Sequence, residues 1–110
     1  MSKILGIDPG LRVTGYGVIH QDKQKFTYES SGTIKTTKQD LDLAARIKII
    51  VTGIDEVIEK FSPNIVAIEK VFVNTNPQST LLLGQARGAA IAAIVSKEIN
   101  IYEYTALQIK

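Results

Sequence analysis

The chain has 110 residues, 45% of them hydrophobic, and a formal net charge of +2, which suits one small domain with a packed core and excludes a disordered chain. It has no cysteine, so a disulfide framework, a cysteine–zinc site and thiol catalysis are all excluded. The mildly basic balance, with a pI near 8.9, permits a nucleic-acid partner without requiring one.

The N-terminus runs from Met1 straight into Lys3-Ile4-Leu5-Gly6-Ile7-Asp8 with no long apolar segment of the secretory type, so a cytoplasmic location is expected. That short apolar run, closed by the turn signal Asp8-Pro9-Gly10, predicts a buried strand. Gly15 to Gln21 predicts a second strand, Asp22 to Lys25 a hairpin loop, and Phe26 to Ile34 a third strand of mixed burial near an edge. A helix capped by Asp40 is expected to run to Phe61, with Leu43, Ile47, Ile50, Ile54, Val57, Ile58 and Phe61 at spacings of three and four, until Ser62-Pro63-Asn64 stops it. Ile65-Val66-Ala67-Ile68 is a second continuous apolar run ending on Glu69, the pattern of a central strand in a helix-covered sheet. Beyond a polar loop, Ser79 is expected to cap a helix to about Lys97, and Ile99 to Tyr104 forms a last strand before Thr105 opens a further helix. The longest apolar stretch, Leu81 to Val95, is interrupted by Gln85 and Arg87, too short and too polar for a membrane span. No repeat or linker divides the chain, so a single domain over residues 1–110 is expected. Its order of elements predicts an α/β fold: a mixed five-stranded sheet, three strands antiparallel and then parallel crossovers, with helices on both faces.

Asp8 and Glu69 end the two most apolar strands. Ligands collect at the carboxyl ends of strands in helix-covered sheets. If those strands are neighbours, about 4.8 Å apart, the two carboxylates repel each other unless a proton or cation lies between them. Mg²⁺ suits such a site, since it takes a few carboxylate oxygens, retained water and substrate phosphate. The bland alternative is that Asp8 supports its turn while Glu69 pairs with Lys70 or solvent. Spacing alone leaves the two readings open.

The wording around the acids adds a resemblance. Gly6-Ile7-Asp8-Pro9-Gly10 with Arg12-Val13-Thr14-Gly15-Tyr16-Gly17, then Ala67-Ile68-Glu69-Lys70-Val71-Phe72, then Leu83-Gly84-Gln85-Ala86-Arg87-Gly88, and Glu103-Tyr104-Thr105 through Gln108-Ile109-Lys110 resemble, in order, the motifs of the RuvC-type Holliday-junction resolvases. The resemblance covers essentially the whole chain. It implies an RNase H-like fold, a homodimer, dependence on Mg²⁺ with two ions per site, and paired, symmetric nicking of four-way junction DNA in recombination and repair, alongside the RuvAB branch-migration machinery. Asp8 and Glu69 match two of the family's metal-binding catalytic acids. Phe72 matches an aromatic that stacks on or wedges between junction bases, and Lys110 a basic residue near the scissile phosphate; Arg12, in the loop after Asp8, is a candidate phosphate contact or a solvated charge. The family carries two further acidic or histidine ligands on a later helix, which this sequence does not reach. The single histidine, His20, sits on the second strand and does not replace them. The domain is therefore expected to be truncated at its C-terminal end, and cleavage by the chain alone to be weak or absent.

The helix after Ser79 has Gly84, Gly88 and Ala92 every four residues and apolar side chains around most of its circumference. A helix of that kind is buried on most sides. The sheet covers one side, leaving a partner chain or the first helix for the stripe. Alternatives to a resolvase are an RNase H-like protein that binds or processes nucleic acid without resolving junctions, and an actin-like ATPase fragment in which the Gly6-to-Gly10 turn cradles phosphate.

Overall fold

A computed structural model describes residues 2–37, 42–70 and 77–104. Their elements run β1 (Ser2–Asp8), β2 (Val13–Asp22), β3 (Lys25–Lys35), α1 (Leu43–Phe61), β4 (Ile65–Glu69), α2 (Pro77–Val95) and β5 (Asn100–Tyr104). The strands form one five-stranded sheet in the order β3-β2-β1-β4-β5. β1 to β3 are an antiparallel meander, while β4 and β5 lie parallel to β1. This is the mixed sheet that the order of elements predicts, with β3 at one edge and β5 at the other.

The hairpin loop is tighter than expected: Asp22 still pairs with Lys25, leaving only Lys23 and Gln24 to turn, with Lys23 in the left-handed region at φ 58°. The register of β2 and β3 shifts between Val18 and Ile19, which leaves Glu29 as the extra residue of a β-bulge. Asp40, the expected cap of α1, lies outside the described residues. The cap is Asp42, whose carboxylate accepts from the Ala45 amide at 2.8 Å and satisfies a backbone donor that the first turn leaves unpaired. At the other end Ser62 adopts the left-handed conformation and its N–H donates to Ile58 O, so the stop predicted at Ser62-Pro63-Asn64 is where the helix ends. α2 begins at Pro77, two residues before the expected cap Ser79, because proline suits a first turn whose N–H groups have no helical partner. It ends at Val95 rather than near Lys97, where Lys97 N–H bonds Ile94 O and Glu98 N–H bonds Val95 O in tighter turns.

One face of the sheet carries the core. Leu5, Ile7, Val18, Val66 and Ile68 pack with Ile50, Ile54, Val57, Ile58 and Phe61 of α1 and with Ala86, Ala90, Ala93 and Ile94 of α2. Each large side chain buried this way is worth about 1.5–3 kcal/mol. The alanines let α2 lie close to the sheet. Gly53 does the same for α1, since a Cβ there would come within 2.9 Å of the Ile34 side chain.

Both described helices thus share a face, although helices were expected on both. The reason is topological: the crossovers β3-α1-β4 and β4-α2-β5 step the same way across the sheet, and right-handed crossovers stepping one way place their helices on one side. The other face, carrying Ile4, Ile19, Ile65, Ala67 and a Tyr102 that is 59% exposed, has no helix over it among the described residues. None of the described helices is long and apolar enough to cross a membrane.

Candidate metal centre

Asn64 fixes how β4 meets β1. Its side-chain oxygen accepts from Lys3 N–H at 2.8 Å and its own N–H donates to Lys3 O at 2.8 Å. From that pin the parallel register runs Ile4–Ile65, Leu5–Val66, Gly6–Ala67, Ile7–Ile68. One residue further, the same register brings Asp8 beside Glu69. β5 continues it, pairing Glu69 with Tyr104, and Lys70 N–H closes the end of the sheet on Tyr104 O at 2.7 Å. Side chains alternate along each strand, so Asp8, Glu69 and Tyr104 emerge on the open face, opposite the core.

Electrostatics record the proximity. Glu69 has its pKa raised by partial burial first, then by a hydrogen bond with Asp8 and the charge of Asp8. Tyr104 is pushed up by burial and by the negative charges of Glu69 and Asp8. Glu69 thus faces another acid. A cleft of about 380 Å³ opens beside Asp8, lined by Gly6, Gly15, Tyr16, Gly17, Gly32 and Tyr104. Cβ atoms built on Gly6 and Gly17 would meet almost nothing, so the floor beside the acids is bare backbone that an occupant can approach closely.

The loop leaving Asp8 is held in place. The buried Thr14 hydroxyl donates to Gly10 O at 2.8 Å and accepts from Gly10 N–H at 3.2 Å. Gly10 cannot be larger, because a Cβ there would lie 2.2 Å from Val13 O. Thr36 bonds Leu11 O and Arg12 O, and Arg46 of α1 in turn holds Thr36. Arg12 is exposed on this loop.

Two carboxylates side by side, with the proton affinity of Glu69 raised, suit a divalent cation, which replaces repulsion with attraction to both. Hard oxygen donors point to Mg²⁺ rather than to a soft metal. Among the described residues no cluster of three or more His, Cys, Asp or Glu forms a fuller ligand set. His20 is far off. It pairs with Lys3 near the opposite end of β1, and its ring contacts Glu29, whose carboxyl that contact holds below the usual range.

Phe72 and Lys110 lie outside the described residues. Gly84, Gly88 and Ala92 are exposed on α2, sharing a side with Leu81, 67% exposed, and Val95, 57% exposed; Ala86, Ala90, Ala93 and Ile94 turn inward instead. The stripe is therefore not the surface that packs on α1. Two residues near the acids had no role in the sequence reading. Tyr104 ends a parallel strand as Asp8 and Glu69 do, a signal that could have found it. Arg87 donates from Nε to Glu69 O at 3.1 Å and from Nη2 to a Glu103 carboxylate oxygen, a contact that helical spacing does not announce.

A mixed five-stranded sheet with paired acids at the ends of β1 and β4 defines an RNase H-like protein. The family model for the crossover junction endodeoxyribonuclease RuvC matches residues 4–110, and the chain belongs to that family. It is 62% identical over 108 residues to the crossover junction endodeoxyribonuclease RuvC of Janthinobacterium sp. (strain Marseille), covering 98% of this chain and 59% of that protein. It is 61% identical over 108 residues to the RuvC of Herminiimonas arsenicoxydans, with the same coverage. Among solved structures it is similar to T. thermophilus RuvC in complex with Holliday junction substrate, with a TM-score of 0.90 and 27% identity over 100% of this chain and 68% of that one. The chain spans about three-fifths of the length of the curated relatives it matches. The Gly6-to-Gly10 turn falls within the family match, so it belongs to this pattern and not to an actin-like phosphate cradle.

The raised Glu69 pKa gives a pH signature. The folded chain holds this proton more tightly than the unfolded chain does, so Glu69 favours folding below the ordinary glutamate range, and that advantage is lost as pH rises through its elevated pKa. Asp8→Asn is expected to bring the Glu69 pKa down toward the ordinary value, leaving the part due to burial, and to shrink the loss. Carboxyl-detected NMR titration of both forms reads this directly; an unchanged Glu69 pKa would mean that the acids do not sense each other.

Proposed function

We propose that this chain forms the greater part of a structure-specific endonuclease that resolves Holliday junctions by Mg²⁺-dependent phosphodiester hydrolysis. The single observation behind the proposal is the pairing of Asp8 and Glu69 on neighbouring parallel strands in a chain of the RuvC family. Asp8 and Glu69 would hold the cation, with two ions per site in the complete enzyme. When bound, a divalent cation supplies a Lewis acid and lowers the pKa of a coordinated water toward neutrality. The protein's own part is to hold both carboxylates on rigid strand ends, to leave the glycine floor clear for a sugar–phosphate strand, and to keep the Tyr104 hydroxyl protonated as a donor at the rim.

Phe72, three residues beyond Glu69, would stack on a junction base, a contact worth about 1–3 kcal/mol. Arg12 and Lys110 would contact phosphate. The Gly84, Gly88 and Ala92 stripe would meet its symmetry mate in a homodimer, since a two-fold dimer presents identical sites to opposite strands of a nearly symmetric four-way junction. Action in the cytoplasm beside the RuvAB branch-migration machinery completes this reading. Two acids hold metal less firmly than a fuller ligand set, so binding of junctions by this chain would outlast its cleavage of them. That sparse ligand set also favours one second reading: an RNase H-like module that binds nucleic acid without resolving it.

Gel-shift measurements at fixed salt, with Ca²⁺ in place of Mg²⁺, are expected to rank four-way junctions above duplex DNA and structured RNA. With Mg²⁺, any nicking is expected to fall short of a full-length relative's rate and to vanish in Asp8→Asn. Equal affinity for junction and RNA would favour the second reading, and full-rate cleavage would overturn the sparse-ligand account.

The interface has its own test. A Cβ on Gly88 meets nothing within 4 Å, so Gly88→Leu is expected to stabilise the monomer by about 0.5–1 kcal/mol through helix propensity while weakening self-association in sedimentation. An unaltered dimer would remove this stripe from the interface.

A further inference from the structure

We infer that Arg87 is a positioning residue for the metal centre, setting where the Glu69 carboxylate stands; the inference rests on the reading of Asp8 and Glu69 as cation ligands. Arg87 lies on α2, on the core side of the sheet, and touches neither the open face nor the cleft beside Asp8. Its guanidinium nevertheless reaches the ends of β4 and β5 at once. Nε donates to the main-chain oxygen of Glu69 at 3.1 Å, and Nη2 donates to the Glu103 carboxylate. Glu69 is the last residue of β4 and Glu103 the last but one of β5, where the ladder between the strands and the bond from Lys70 N–H to Tyr104 O also join them.

The rigidity of the fork decides the matter. Arginine presents its donors in a fixed plane, so bonds to two groups fix the distance and angle between them. A peptide carbonyl held from one face orients the whole residue, and the Glu69 side chain leaves from the opposite face beside Asp8. The Arg87 side chain is 19% exposed and its bond to the Glu69 oxygen is partly buried. Glu103 is 48% exposed, so the Glu103 pairing is a solvent-screened contact of small worth and the weight falls on the Glu69 bond. Residues that hold metal ligands from behind commonly change affinity by 10–100-fold when removed. Two repelling carboxylates have a natural tendency to splay, and a clamp behind one of them opposes it.

The test is Mg²⁺ titration of the full chain, followed by the NMR shifts of Asp8 and Glu69, for the unaltered protein, R87K and E103Q. R87K keeps the charge but not the two-directed fork, and is expected to weaken Mg²⁺ binding about tenfold. E103Q leaves the Glu69 bond in place and is expected to weaken it by only about twofold. I94V, which trims the core of α2 away from the clamp, serves as the control for general loosening, with thermal midpoints measured throughout. Unchanged Mg²⁺ affinity in R87K overturns the inference, as does an equal loss in I94V at a matched midpoint. Absence of Mg²⁺ shifts at Asp8 and Glu69 in the unaltered chain would instead overturn the metal-site reading beneath it.

Discussion

Everything at the candidate site depends on the parallel register of β1 against β4. Side chains on a strand alternate between faces, so a slip of one residue would send Glu69 to the core and leave Asp8 alone. The register is held from both ends. Asn64 ties the start of β4 to Lys3 through two hydrogen bonds, and Leu5, Ile7, Val66 and Ile68 fill the core only in this alignment. The hydrophobic energy of the helix-covered face is what forces two like charges together on the open one. Partial burial, together with that conflict, raises the proton affinity of Glu69.

The remaining architecture follows from the need to keep those strand ends rigid. The meander of β1 to β3 supplies a wide platform, and the Gly10–Thr14 and Thr36–Arg46 bonds hold the loop that leaves Asp8. Both crossover helices fall on one face because their connections step in one direction, which frees the other face for the acids, the glycine floor and Tyr104. Bare glycine backbone on that face lets an occupant come close to the sheet.

Much of this was legible in the residues. The apolar runs before Asp8 and Glu69 identified the central strands, and Ser62-Pro63 marked the end of α1, because burial and backbone chemistry are local signals. The acid pair could be suspected, yet not placed, since the sequence does not state which strands are neighbours; the family motifs supplied that. Asp42 displaced Asp40 as the cap, and Pro77 started α2 ahead of Ser79, because several residues of suitable chemistry competed within a few positions. The placement of both helices on one face required the strand order. Tyr104 and Arg87 were overlooked for a different reason. Each acts through a neighbour on another element, and no spacing within one segment encodes that.

The central claim is that Asp8 and Glu69 together form a cation site, and paramagnetic Mn²⁺ tests it most directly. Added to isotopically labelled protein in place of Mg²⁺, Mn²⁺ is expected to broaden the amide signals at the ends of β1, β4 and β5 around Asp8, Glu69 and Tyr104, and to leave those near His20 and Glu29 sharp. Broadening centred on His20 and Glu29, or none at the three strand ends, would contradict the account.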